Sequence, residues 1–228
     1  ITVDGTTCTL INAITTANSD TNTGGCVQTP ATTAGADTVV LQSSSVHTLT
    51  ATNNSTYGAT GLPVVISEMT IEGNTSTITR GGAAPNFRIL PVSGTGNLTP
   101  KATTINGGVT DGSGGGIFNR NGMVTLIDST VSGNSADNEG GGIYNLAASA
   151  GANPTVTLVN STISNNTAGL RGGNIANSAT VAGAVVVIFA VFSLLTLGWA
   201  PKGGGMSNIT WLGAIAIVTL LNSLLSSN

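Results

Sequence analysis

The side chains able to do chemistry in this chain are few and widely spaced. Its nine carboxylates are Asp4, Asp20, Asp37, Glu68, Glu72, Asp111, Asp128, Asp137 and Glu139, and its only histidine is His47. A glycoside hydrolase needs two or three carboxylates converging on one face. A lyase needs carboxylates for Ca²⁺ beside an Arg or Lys base. Glu68 and Asp128 come nearest to such a pair, because they coincide when residues 64–74 are laid without gaps on 124–134; the later copy has Asn160 there. Asp137 and Glu139 share one loop and are the best cation ligands on offer. His47 has no surrounding Ser/Asp or Cys pattern that would make it a base. The Gly triplets at 114–116 and 140–142 run into Ile-Phe-Asn and Ile-Tyr-Asn rather than Lys-Ser/Thr, so they read as corners, not phosphate cradles. The expectation is a non-enzyme with no catalytic residue, cofactor or metal site, its acids being solvated surface groups.

Composition narrows the partners. Only 7% of residues are charged, against about a quarter in an ordinary globular domain. Six Lys and Arg and a net charge of −3 leave no basic footprint for nucleic acid. Cys8 and Cys26 are the only cysteines, with seventeen residues between them. Paired, they would stabilise the fold by roughly 3 kcal/mol on the loop-entropy model; the alternative is two free thiols. Too few ligands surround them for zinc. The pairing, with a chain that begins at Ile1 as a mature protein would after loss of a signal peptide, points to an oxidising, non-cytoplasmic compartment.

The elements that position these residues are written as repeats. Val-Thr-Leu-Ile-Asp-Ser-Thr-Val-Ser-Gly-Asn at 124–134 returns 32 residues later as Val-Thr-Leu-Val-Asn-Ser-Thr-Ile-Ser-Asn-Asn. The Gly-Gly-Gly-Ile-Phe-Asn refrain at 114–119 returns 26 residues later with Tyr144 for Phe118, then degraded as Gly-Gly-Asn-Ile-Ala-Asn at 172–177. Leu98 and Ile105 lie 26 residues before Val124 and Val131. Such periods mean stacked units, none of which buries its apolar face alone. The predicted fold is an all-β right-handed parallel β-helix of about six rungs over residues 38–178, with a loop insertion near 147–154. The Asn residues closing the second strands, Asn74, Asn134 and Asn166, are expected to stack into a ladder of bonded amides. Ahead of the stack, Leu10, Ala13, Ile14 and Ala17 fall at i, i+3, i+4 and i+7. That spacing predicts a short helix inside a cap over residues 1–37, covering the exposed end of the stack.

Beyond 178 the composition changes. After Arg171 the only charged side chain is Lys202, and residues 182–200 and 209–225 are apolar runs of nineteen and seventeen residues. By length they predict a two-helix transmembrane hairpin over 179–228. Trp199 and Trp211 would then sit at one membrane interface, with Lys202 in the loop between them. The other reading is that residues 185–192, rich in β-branched side chains, form a last buried rung.

Several of these residues together resemble bacterial secreted and surface β-helix proteins with an N-terminal Cys-Ser-Leu-Arg-Glu-Ala segment and repeats like those of polymorphic outer-membrane proteins. The matching stretches are Cys-Thr-Leu-Ile-Asn-Ala-Ile at 8–14, Cys26, Gly-Ala-Asp-Thr-Val-Val-Leu at 35–41, the glycine refrains and the Asn-Ser-Thr-Ile-Ser phrase. Ile11-Asn12 stands where that family has Arg-Glu, so an ion pair in the cap is missing. The resemblance implies the fold, export and surface attachment, and no catalytic residues. The expected role is a membrane-anchored accessory subunit on the non-cytoplasmic side, in contact with the lipid bilayer and other membrane-protein subunits. The alternative is an adhesin or carbohydrate-binding β-helix, for which the supply of stacking aromatics is thin: Tyr57, Phe87, Phe118 and Tyr144.

Overall fold

An apolar residue alternating with Thr or Ser suits a strand with one face buried, and each copy of the repeat forms such a strand. In the computed structural model, residues 1–28, 35–180, 185–191, 194–195 and 216–221 are described. The first elements are a helix, α1 (Leu10–Ser19), and the strands β1 (Asp37–Val40) and β2 (Val46–Leu49). The next two groups are β3 (Glu68–Arg80) with β4 (Leu90–Val92), and β5 (Asn97–Asn106) with β6 (Val109–Thr110) and β7 (Ile117–Arg120). Two complete copies follow: β8 (Met123–Ile127), β9 (Thr130–Ser132), β10 (Ser135–Ala136) and β11 (Ile143–Ala147), then β12 (Thr155–Val159), β13 (Thr162–Ser164), β14 (Thr167–Ala168) and β15 (Ile175–Ala179). The last strands are β16 (Val185–Val191), β17 (Leu194–Leu195) and β18 (Ala216–Leu221).

These strands form a parallel β-solenoid of about five turns. Each complete turn offers four strand positions, and each strand pairs with its counterpart one turn away. Met69, Leu98, Val124 and Val156 share one register column, and Ile78, Ile105, Val131 and Ile163 another. Leu90, Ile117, Ile143 and Ile175 form a third. All three columns are buried in one continuous core. Each such side chain is worth roughly 1.5–3 kcal/mol on burial, so the core is the main stabilising term. The difference between the 26- and 32-residue periods is local: β11 is one residue longer than β7, and the loop after it, 148–154, replaces the two-residue turn 121–122.

The cap follows the predicted helical spacing. Leu10, Ala13, Ile14 and Ala17 are buried in the same core as the first strands. Thr9 caps α1 by accepting from the Asn12 backbone N–H. Asn18 fixes the helix to the stack, donating to the Val64 carbonyl at 2.8 Å and accepting from the Ile66 N–H at 3.0 Å. Cys8 and Cys26 form a disulfide with a Cα–Cα distance of 4.6 Å. Replacing both by serine is expected to lower the unfolding free energy by about 3 kcal/mol, read from the denaturation midpoint and slope together, the slope rising as the unfolded chain loses its cross-link; a loss of a few tenths would contradict the stapling role.

Two expectations change. The gapless alignment of 64–74 on 124–134 does not hold, because Met69 rather than Val64 shares a column with Val124. The register slips between Glu72 and Ser76, where the corner is longer than its later counterparts. Glu68 therefore aligns with Asn97 and Met123, while Asp128 sits in a corner with positive φ, so the two carboxylates are not equivalent. The second change concerns residues 179–228. Val185–Val191 is a strand in parallel register with β12, and Ala216–Leu221 pairs antiparallel with it. The helical expectation fails for these two stretches; the β-branched run Val-Val-Val-Ile at 185–188 suits a strand continuing the stack. No helix among the described residues is long and apolar enough to cross a membrane. The remainder of the hairpin expectation, with Trp199, Lys202 and Trp211, lies outside the described residues.

Candidate functional site

The corners of the solenoid carry its polar chemistry. Asn134 and Asn166 are fully buried, and the Asn134 side-chain amide donates to Asn166 Oδ1 at 2.9 Å. Each also accepts from a backbone N–H of the preceding turn: Gly108 onto Asn134 and Asn134 onto Asn166, both at 2.9 Å. Asn166 passes the chain on to Asn174 Oδ1 at 3.0 Å. Asn174 replaces the last glycine of the Gly triplet. In the preceding turn that position is Gly142, where an added Cβ would lie 2.5 Å from the Asn174 carbonyl oxygen and 2.7 Å from Asn166 Nδ2.

Asn74 is not part of this ladder. It is exposed at the opposite corner, with φ 49°, and donates to the Leu41 carbonyl at 2.9 Å. Its counterparts there are Asp128 and Asn160, also left-handed, whose side chains bond each other. Asn tolerates that conformation better than most residues, which is why the same residue type recurs at two different corners. The sequence reading missed a second buried ladder, in which Asn119 donates to Asn145 Oδ1 at 2.7 Å; the repeated Asn ending each glycine refrain is the signal for it. A third line runs along the corner between the first and second strand positions, where the Thr103 and Ser129 N–H groups donate to the Ser129 and Ser161 hydroxyls.

One outer face gathers the aromatic side chains. Phe118 and Tyr144, on adjacent strands, stack with centroids 5.6 Å apart, and Tyr57 meets Phe118 edge-on at 5.8 Å. Their faces are largely used on one another, since Phe118 is 7% and Tyr144 9% exposed. Phe87 is in the main core. Arg88 lies 4.8 Å over the Phe118 ring and is 3% exposed. Its guanidinium donates to the Ser113 carbonyl through Nε and Nη2 and to the Tyr57 carbonyl through Nη1. Burial lowers its pKa to about 10, still charged at neutral pH. Burial likewise pushes the Tyr144 hydroxyl up. Beside it, Glu139 is bridged by Arg171 from the next turn.

Of the remaining carboxylates, Asp20 and Asp37 converge on the Gln28 amide, which donates to both, and the others stay apart. Asp111 accepts from Asn86, Lys101 pairs with Glu72 at 3.0 Å, and Asp4 accepts from Thr7, Thr6 and Cys8, which hold it well below the usual carboxylate range. Among the described residues no group of three or more His, Cys, Asp or Glu side chains could hold a metal ion. Asp137 and Glu139 are not brought into such a set. His47 takes the place of Ile78 in its register column at the open first turn, and its Nε2 lies 2.9 Å from Ser45 Oγ. Burial lowers its pKa. A depressed base binds protons more readily in the unfolded chain, so stability is full above the ordinary histidine value near 6.5 and falls as pH drops through it. Melting temperature is expected to fall between pH 7.5 and 5.5, and His47→Gln to flatten that dependence; an unchanged slope in the variant would contradict it.

What the fold and its surfaces define is a disulfide-capped parallel β-solenoid held in register by buried polar ladders. Compared with protein-family models, with curated proteins and with solved structures, the chain matches none.

Proposed function

We propose that this protein is a non-catalytic, extracytoplasmic β-solenoid that serves as a structural or interaction subunit of a membrane-associated assembly. The observation that carries the reading is where the polar chemistry is spent. The buried asparagines bond one another, the aromatics stack on one another, and among the described residues no three carboxylates, histidines or cysteines gather where they could hold a metal ion. A rod with such a surface suits contact with other macromolecules more than turnover of a small substrate. The buried disulfide supports an oxidising compartment. The Cys-Thr-Leu-Ile-Asn-Ala-Ile phrase and the glycine refrains support a place among bacterial surface β-helix proteins, and right-handed winding is the sense that parallel crossovers strongly favour. Attachment is assigned to the segment after Arg171, whose only charged side chain is Lys202.

The test is fractionation of the expressed full chain. The reading expects it in the envelope fraction, resistant to alkaline carbonate and co-purifying with other subunits in mild detergent. Recovery as a monomer from aqueous buffer without detergent would sink it. The sugar-binding alternative draws less support, because the Phe118 and Tyr144 faces are covered.

A further inference from the structure

The chain contains two Asn-Gly pairs, Asn106-Gly107 and Asn121-Gly122. Asparagine loses its amide most readily before glycine, because the next backbone nitrogen can reach the side-chain carbonyl carbon and no Cβ hinders the approach. The reaction needs that nitrogen unbonded and the amide side chain free to turn. The solenoid treats its two pairs in opposite ways.

Asn121 is held from three directions. Its Nδ2 donates to Ser149 Oγ at 2.8 Å, its Oδ1 accepts from the Ala148 N–H at 2.6 Å, and its own N–H donates to the Leu146 carbonyl at 2.9 Å. The nitrogen that would attack it, that of Gly122, is buried and donates to Asn119 Oδ1 at 3.1 Å. Asn106 has none of these restraints. It ends β5 half-buried, and among the described residues neither its side-chain amide nor the Gly107 N–H makes a hydrogen bond. Gly107 turns the corner with φ 70°. In the next two turns the register position of Asn106 holds Ser132 and Ser164, so the fold does not require an amide there.

We propose that Asn106 is a site of spontaneous deamidation, and that the isoaspartate formed there undoes the first bond of the Asn134–Asn166 ladder. The Gly107 nitrogen gives up its proton to water and bonds to Asn106 Cγ. The Cγ–Nδ2 bond breaks, and the amide takes a proton from solvent and leaves as ammonia. Water then opens the five-membered imide. Cleavage of the new Cγ–N bond gives aspartate, whereas cleavage of the original backbone C–N bond gives isoaspartate, in which the chain runs through Cβ and Cγ. No oxidant or reductant is involved. The lengthened backbone falls beside two fixed contacts: the Gly108 N–H donates to Asn134 Oδ1 at 2.9 Å, and the Gly107 carbonyl accepts from Arg80 Nε at 3.0 Å. Gly108 has no room to absorb the change, since a Cβ on it would lie 2.0 Å from the Gly115 carbonyl oxygen. Gly108 is therefore displaced from Asn134, and the corner loosens. This chemistry is independent of any partner and of how the protein is attached.

The experiment ages the purified full chain at mildly alkaline pH. Its peptides are read by mass spectrometry with electron-transfer fragmentation, which separates aspartate from isoaspartate, and amide exchange at Gly108 is read on the same sample. In the folded chain Asn106 is expected to convert at least about tenfold faster than Asn121, whose hydrogen bonds must first open. In guanidinium the two should convert at similar rates. Gly108 exchange is expected to quicken in step with isoaspartate, whereas Asn106→Ser, the residue of the next two turns, should keep it slow through the same ageing. Asn106→Gln, whose longer side chain closes a ring less readily, is the second variant should the serine form not fold. Equal rates at the two pairs in the folded chain overturn the site, as does an Asn106 that stays intact until the chain is unfolded. Isoaspartate at 106 with Gly108 still protected overturns its effect on the ladder.

Discussion

Asn166→Leu is expected to lower the unfolding free energy by about 3–4 kcal/mol, the largest effect of any single change considered for this chain. Leucine keeps the branching of asparagine but is larger, so overpacking adds to the loss of the polar contacts. The substitution removes the acceptor of the Asn134 backbone N–H and side-chain amide, and the donor to the Val131 carbonyl at 3.0 Å. All of these groups are buried, and each orphaned donor or acceptor costs about 1–3 kcal/mol. Asn160→Gly is the control. Asn160 lies at the exposed corner with φ 47°, a conformation glycine adopts freely, so the expected change is under about 0.5 kcal/mol. Equal losses in urea denaturation for the two variants would show that the ladder contributes nothing special.

The second large effect is at Arg88. Its guanidinium makes no ion pair among the described residues, yet it is buried and joins the Tyr57 loop to the corner at Ser113. Hydrogen bonds from a charged donor are worth about 1.5–3 kcal/mol each, and methionine can fill the space without replacing them. Arg88→Met is therefore expected to cost about 3 kcal/mol and to expose the loop around Tyr57 to proteolysis before global unfolding. The relief of burying a charge offsets part of the loss. A variant as stable as wild type, with the loop still protected, would mean that the offset is complete and that Arg88 is dispensable.

Sequence reading succeeded where one residue's environment repeats. Val124 with Val156, Leu98 with Val124 and Phe118 with Tyr144 are register partners because the same burial recurs in each turn. It failed at corners, where one extra residue moves a side chain from inside to outside. Asn74 and Asn134 look alike in sequence, but the longer bend at 73–75 sends Asn74 to the exposed corner. The apolar run from 182 has the length of a helix, whereas residues 185–191 form a strand whose part from Val187 to Val191 pairs with β12. Length could not separate the two forms, because a fully buried strand and a helix are both continuously apolar. Arg88 carried no signal at all. Its partners at 57 and 113 are thirty-one and twenty-five residues away and are backbone carbonyls.

Everything proposed for the surfaces depends on one physical claim, that buried side-chain ladders lock the turns in register. Amide hydrogen exchange on the full chain tests it most directly. The Gly108 and Asn134 N–H groups have side-chain oxygens, of Asn134 and Asn166, as their acceptors. The account predicts that both exchange only with global opening, as slowly as the amides of β8 and β9, and that Asn166→Leu releases the Asn134 amide. Wild-type exchange at these two positions as fast as at the exposed corner residue Gly133 would contradict it.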